Sequence, residues 1–214
     1  MKFPDSLNDI TLRKYQDLYS MQEPSNEDMV KALIGLNNEQ LNKFKASEVD
    51  AMIVHLQNLL QEDTPFKPTF VLNGIKYGFI PDLDNITYGE NKDLTSYIND
   101  FKTMHKAMAV AYRPVKLHKG DLYIIEDYEG SHKYSETMKD APLDVVLGMV
   151  VFFYNLTNAL LKAIPNYLEK VLEKETKSGQ ISEENGEVIA SYTRSLKVIL
   201  EDLMQLQKCV YTPV

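Results

Sequence analysis

The sequence predicts a mainly α fold carrying a small antiparallel β element. Three observations lead there. Apolar residues recur at helical spacing through most of the chain, one Asn-Gly pair sits between two β-rich arms, and two long periodic stretches joined by a short polar loop close the sequence. With 214 residues, 44% hydrophobic and 25% charged, the chain is long enough to bury a core and has the mixture of a globular protein.

The elements follow in order. Thr11 is placed to cap a helix whose Leu12, Tyr15, Leu18 and Tyr19 share one face, and Pro24 breaks the chain after it. Ser25 with Asp28 reads as a capping box for a helix carrying Met29, Val30, Leu33 and Ile34, which Gly35 to Asn38 end. Ser47 with Asp50 reads as a second capping box. It opens an amphipathic helix of Val49, Met52, Ile53, Leu56, Leu59 and Leu60 that Pro65 and Pro68 stop.

The texture then changes. Thr69 to Leu72 and Ile75 to Ile80 are β-rich arms around Asn73-Gly74, the signature of a two-residue hairpin. Ile86 to Glu90 reads as a short strand or turn leading into a helix. One continuous helix is expected from Asp93 to Ala111, ended by Arg113-Pro114. Leu122 to Ile125 reads as a strand with Val115 to Leu117 as its partner and Gly120-Asp121 as the turn. Pro142 opens a long apolar helix, and an antiparallel helical hairpin is expected beyond Pro165. Three stretches result: a helical subdomain over 1–64, an α+β segment over 65–142, and a long-helix hairpin over 143–214 that forms one compact unit with the middle.

The net charge is −8, against a general nucleic-acid binder, which needs clustered cations. Acidity is concentrated early: 6 basic and 11 acidic residues in 1–64, 10 and 11 in 65–142, 7 and 9 in 143–214. An anionic partner is therefore expected to dock on the middle segment first. The lone Cys209 offers neither an internal disulfide nor a Cys-rich zinc site. No apolar stretch follows Lys2, so no signal peptide is expected. Leu143 to Ile164 is long enough to span a membrane, but Asp144, Asn155, Asn158 and Lys162 within it favour a buried helix.

Signs of catalysis are sparse. His55, His105, His118 and His132 fall into no metal-ligand spacing, Asp82 and Asp84 lack the remaining ligands of a calcium loop, and there is no phosphate-binding glycine signature. Neither cofactor nor metal is expected. Contact fits the sequence better. Thirteen tyrosines occur without a tryptophan. Tyr112 and Arg113 lie where a helix meets an extended stretch, with Tyr123, Tyr128 and Tyr134 downstream, and Tyr and Arg are enriched at interface hot spots. Phe152 and Phe153 belong to a run, Val150 to Tyr154, that is apolar all round and demands cover. These seven residues are the interaction candidates. The alternative is a small enzyme with a dispersed site around Glu126, His132 and Tyr134.

The layout over residues 2–154 resembles small accessory proteins of the tail and neck modules of tailed bacteriophages. The resemblance is carried by Lys2-Phe3-Pro4, Asp9-Ile10-Thr11 and Tyr15, then the Phe70 to Tyr77 hairpin and Asp82-Leu83. It continues through Ile86 to Glu90, Ala109 to Pro114 and Tyr123 to Tyr128. It implies a non-catalytic portal–neck–tail component, virion subunit or assembly chaperone. Such a protein would work as a homo-oligomer among other tail or portal proteins, in the virion or host cytoplasm, without membrane or sequence-specific nucleic-acid binding.

Overall fold

A computed structural model describes residues 3–120 and 122–159, which fall into two compact units; residues 3–149 belong to the first and 150–159 to the second. The expected helical hairpin beyond Pro165 lies outside the described residues, as does Asp121. Within them the fold is mainly helical around one four-stranded antiparallel sheet.

The first unit opens with helices α1 (Leu12–Tyr19), α2 (Asn26–Val30), α3 (Asn38–Leu41) and α4 (Ala46–Leu60). The Thr11 hydroxyl accepts from the Lys14 N–H, and Ser25 and Asp28 form the full reciprocal box. After α2 the chain continues through a π turn to Gly35, whose φ of +85° requires a residue without Cβ. The Ser47–Asp50 reading is corrected. Helix α4 begins two residues earlier, with Lys45 as its N-cap and the Lys45 N–H donating to Glu48 Oε2 at 2.7 Å. The longer Glu side chain reaches back to the orphan donor, which leaves Ser47 inside the first turn.

Strands β1 (Thr69–Leu72) and β2 (Ile75–Phe79) close on Asn73 and Gly74, at φ +51° and +78°. Both turn residues are left-handed, as a type I′ turn demands. The expected single helix over 93–111 is two: α5 (Tyr88–Tyr97), capped by Thr87, and α6 (Met104–Ala111). Side chains interrupt it. Asp100 Oδ1 accepts from the Lys102 N–H at 2.9 Å, and Thr103 Oγ1 donates to the carbonyls of Tyr97 at 2.8 Å and Asp100 at 3.0 Å. These bonds hold the backbone out of the helical ladder. The break lets Phe101 become fully buried against the rings of Tyr15 and Tyr19, at 5.1 and 5.6 Å.

Helix α6 passes directly into β3 (Tyr112–Lys119), which pairs with β2 and with β4 (Leu122–Ile125) to give the order β1-β2-β3-β4. Pro114 therefore sits inside a strand rather than ending a helix. Its carbonyl accepts from the Glu126 N–H at 2.9 Å just past the end of β4. One face of the sheet carries Phe70, Tyr77, Phe79 and Tyr112, mutually packed at 5.2–5.6 Å between ring centroids.

After the short α7 (Ser135–Met138), α8 is helical over 143–159. The Leu12 N–H donates to the Ala141 carbonyl and the Leu143 N–H to that of Ile10, tying the start of α8 to the N-terminal helices. Leu143, Val145, Val146, Leu147 and Met149 are buried. Asp144, in the first turn, accepts from its neighbour's N–H and pairs with Lys67.

Candidate functional site

The residues singled out for contact divide sharply in position. Tyr112 and Arg113 are buried, not displayed. The Tyr112 hydroxyl donates to the Lys67 carbonyl at 2.8 Å, and desolvation drives its pKa far above that of an ordinary tyrosine. Arg113 pairs with Glu90 at 2.5 Å, donates to the Val110 carbonyl at 3.3 Å, and sits 5.5 Å from the centre of the Tyr128 ring. Its Nε is buried without a hydrogen-bond partner among the described residues. An Arg at the junction of α6 and β3 had the composition of a hot spot, but its ion pair with the N3 residue of α5 takes it inside.

Tyr123, Tyr128 and Tyr134 are half-buried struts. Tyr123 Oη donates to the carbonyls of Phe79 at 3.0 Å and Pro68 at 3.2 Å. Tyr128 Oη donates to Asp93 Oδ2 at 2.5 Å; burial first, and then the Asp93 carboxylate, carry its pKa well above the ordinary value. Tyr134 Oη donates to Glu126 Oε2 at 2.5 Å, and Lys133 bridges Glu126 and Glu129. Glu126 and Tyr134 therefore meet, while His132 is exposed on a 3-10 turn.

In the second unit Phe152 and Phe153 lie edge to face at 5.4 Å, both half-buried. Val151 in the same apolar run is exposed. Among the described residues, the all-round cover that this run demands is incomplete.

Two features escaped sequence reasoning. The first is a cleft of about 270 Å³ lined by Arg13, Gln16, Lys102, His105 and Lys139, with Asp17 and Ser20. Gln16 Nε2 donates to the Phe101 carbonyl at 2.5 Å and lies 3.0 Å from His105 Nδ1. An amide N–H facing that nitrogen makes it an acceptor, so His105 is neutral with its proton on Nε2. Burial, followed by Lys139 and Lys106, lowers the His105 pKa. Arg13 and Lys139 are already paired with Asp140 and Glu136, which spends much of the cleft's positive charge.

The second is a projecting arm. Strand β2 pairs with β3 only over Tyr112 to Pro114, whereas β4 follows β3 out to Lys119. The outer part is thus a two-stranded ribbon. Leu117 pairs with Ile124 and Lys119 with Leu122, so these four side chains share one face. Leu117 is 62% exposed, Leu122 78% and Ile124 57%. Two-stranded ribbons are marginal by themselves, and apolar residues along an open edge strand are what proteins ordinarily avoid. The signal was present: Leu122-Tyr123-Ile124-Ile125 is apolar on both strand faces, and one sheet side can cover only one of them.

Comparison with protein-family models, with curated proteins and with solved structures finds no match for this chain. Among the described residues no helix is long and apolar enough to cross a membrane, and no three His, Cys, Asp or Glu side chains gather as a metal site would require.

Proposed function

We propose that the chain is a non-catalytic structural or assembly protein of a tailed-bacteriophage portal–neck–tail apparatus, acting through protein–protein contact. The observation that carries the contact reading is the β3–β4 arm, with three large apolar side chains exposed beside a strand edge that pairs with no further strand among the described residues. The phage setting comes from the layout of residues 2–154, and puts the protein in the virion or host cytoplasm among tail or portal proteins. Tyr112 and Arg113 serve this reading from inside, by fixing the root of the arm.

The test is co-expression of the tagged chain with portal and tail proteins, followed by purification. Retention of one such protein, lost on joint L122D and I124D substitution, is the expected result. Recovery with neither, or retention indifferent to the arm, overturns the reading. Mass spectra of purified particles separate the two roles: a virion subunit is present in them and an assembly chaperone is absent.

A further inference from the structure

The cleft formed by α1, the start of α6 and the end of α7 carries a chemistry that protein contact through the arm does not use. We propose that it binds a small hydroxylated phosphate monoester. Arg13, Lys102 and His105 hold the phosphoryl group, and Gln16 and Asp17 accept from hydroxyls of the organic part.

The site is assembled from three places in the chain, which their own bonds lock together. The Arg13 N–H donates to the Lys139 carbonyl at 2.6 Å, joining α1 to the end of α7. The Gln16 amide donates to the carbonyls of Phe101 and Lys102 at 2.5 and 3.2 Å, joining α1 to the start of α6. Cationic side chains from all three places are thereby gathered around one opening with His105. Donors fixed in advance lose little freedom on binding.

Two buried polar side chains line that opening with one side-chain atom each unused. Gln16 is 8% exposed and His105 9%. Gln16 Nε2 and His105 Nδ1 are spent on the bonds already described, whereas Gln16 Oε1 and His105 Nε2 have no hydrogen-bond partner among the described residues. Neither atom is sealed from solvent, and the cleft is what these residues line. Polar groups of buried side chains are ordinarily bonded. One spare acceptor beside one spare donor suits a ligand that carries both kinds of group.

Charge selects an anion. Three cations and one carboxylate line the cleft. Lys102 is exposed and has no ion pair among the described residues. Arg13 pairs with Asp140, but the two side chains are 45% and 46% exposed. Exposed pairs contribute so little that a dianionic phosphoryl group can replace the carboxylate. His105 is held neutral by burial and by Lys139 and Lys106, and a neutral imidazole still donates through Nε2. Asp17 repels bare phosphate but accepts readily from a hydroxyl. A volume of about 270 Å³ lies just below the usual range for drug-sized ligands. That fits an ester of a few carbon atoms and is too small for a nucleotide.

Calorimetric titration of the full chain with glycerol phosphate, inorganic phosphate and acetate at constant ionic strength tests this. Glycerol phosphate should bind one to one, at least about tenfold more tightly than either of the others, because only it offers hydroxyls to Gln16 and Asp17. R13Q and K102Q should each weaken that binding at least about tenfold by removing a charge-assisted bond. Both positions are exposed, and an unchanged circular dichroism spectrum shows that the fold is intact. Lys43 is exposed and outside the cleft, so K43Q should bind as the unaltered chain does. In nitrogen-detected magnetic resonance spectra the His105 Nε2 signal should move on saturation. Absence of saturable binding, equal affinity for inorganic phosphate or acetate, an equal loss in K43Q, or a stationary His105 signal overturns the proposal. The cleft shares no residue with the β3–β4 arm, so capture of a portal or tail protein neither depends on this site nor decides it.

Discussion

The Arg113 guanidinium and the Glu90 carboxylate meet at 2.5 Å, each side chain less than a tenth exposed. This pair joins the start of α5 to the root of the arm. The Thr87 hydroxyl and N–H both donate to the other Glu90 oxygen, at 2.6 and 2.8 Å. One carboxylate therefore caps a helix and neutralises a buried cation.

Removing one partner should be costly. Arg113→Met leaves Glu90 buried and unpaired, a loss of about 3–5 kcal/mol, whereas joint replacement of Glu90 and Arg113 by Met should recover much of it. Urea unfolding of Arg113→Met, Glu90→Met and the double variant measures this, and additive losses would deny the pair. Burial pushes the Glu90 carboxyl up, but bonds from Thr87 and Arg113 hold it below the ordinary value. Its contribution is thus complete above the ordinary carboxylate range and is lost as pH falls through the lowered folded value. Glu90→Gln should remove that part of the acid sensitivity.

His105 gives the opposite kind of titration. Its folded pKa lies below the ordinary 6.5 because burial and the nearby Lys139, Lys106 and Arg13 oppose the charged ring, with Glu136 partly offsetting them. The unfolded chain takes the proton first as pH drops below 6.5, so stability is full above that value and declines beneath it. Unfolding midpoints between pH 7.5 and 5.5 should show this decline, and His105→Asn should flatten it. Gln16→Ala should cost about 1 kcal/mol by removing its amide bonds to the Phe101 and Lys102 carbonyls, the first of which keeps the Met104 N–H.

Gly78 is the floor on which the arm rests. A Cβ there would lie 2.6 Å from Tyr123 Cε2 and 2.8 Å from Cδ2, and the ring cannot slide away while its hydroxyl is bonded to the Phe79 and Pro68 carbonyls. Gly78→Ala should destabilise by about 1–3 kcal/mol. In a Tyr123→Ala background most of that cost should disappear, a coupling that a double-mutant cycle reads directly. Equal costs in both backgrounds would show that the ring is not the obstacle.

What was legible in the sequence was local. Thr11, Ser25 with Asp28, and Asn73-Gly74 act through neighbours one to four residues away, and each does in the structure what its chemistry dictates. The misjudged boundaries are also local, but there two signals compete. Asp100 and Thr103 bond backbone in a segment whose apolar spacing reads as continuous helix, and the side-chain bonds win. The candidate contact residues depend on distant partners. Nothing near Arg113 in sequence announces Glu90, and nothing near His105 announces Gln16. A polar residue paired across the fold has the same composition as one displayed to a partner. The exposed arm was hidden differently: β4 is apolar on both faces, and only the end of β2 pairing at Pro114 decides which part is left uncovered.

Gly148 tests how firmly α8 is seated. In an exposed helix Gly→Ala gains about 1 kcal/mol from backbone entropy. Here the added Cβ would stand 2.7 Å from the Pro65 carbonyl oxygen and 3.2 Å from its carbon. These are backbone atoms, so no rotamer change relieves the contact. The segment cannot retreat easily either, because Phe66 packs on Phe79 at 4.9 Å, the Lys67 carbonyl accepts from Tyr112, and Lys67 pairs with Asp144 at the start of the same helix. The overpacking cost of about 1–3 kcal/mol should therefore outweigh the helical gain. Gly148→Ala is expected to lower the thermal midpoint and to alter near-ultraviolet tyrosine dichroism through Tyr112. A midpoint that rises would mean that helix and segment separate freely, and that the close approach at Pro65 contributes nothing to holding the first turns of α8 against that segment.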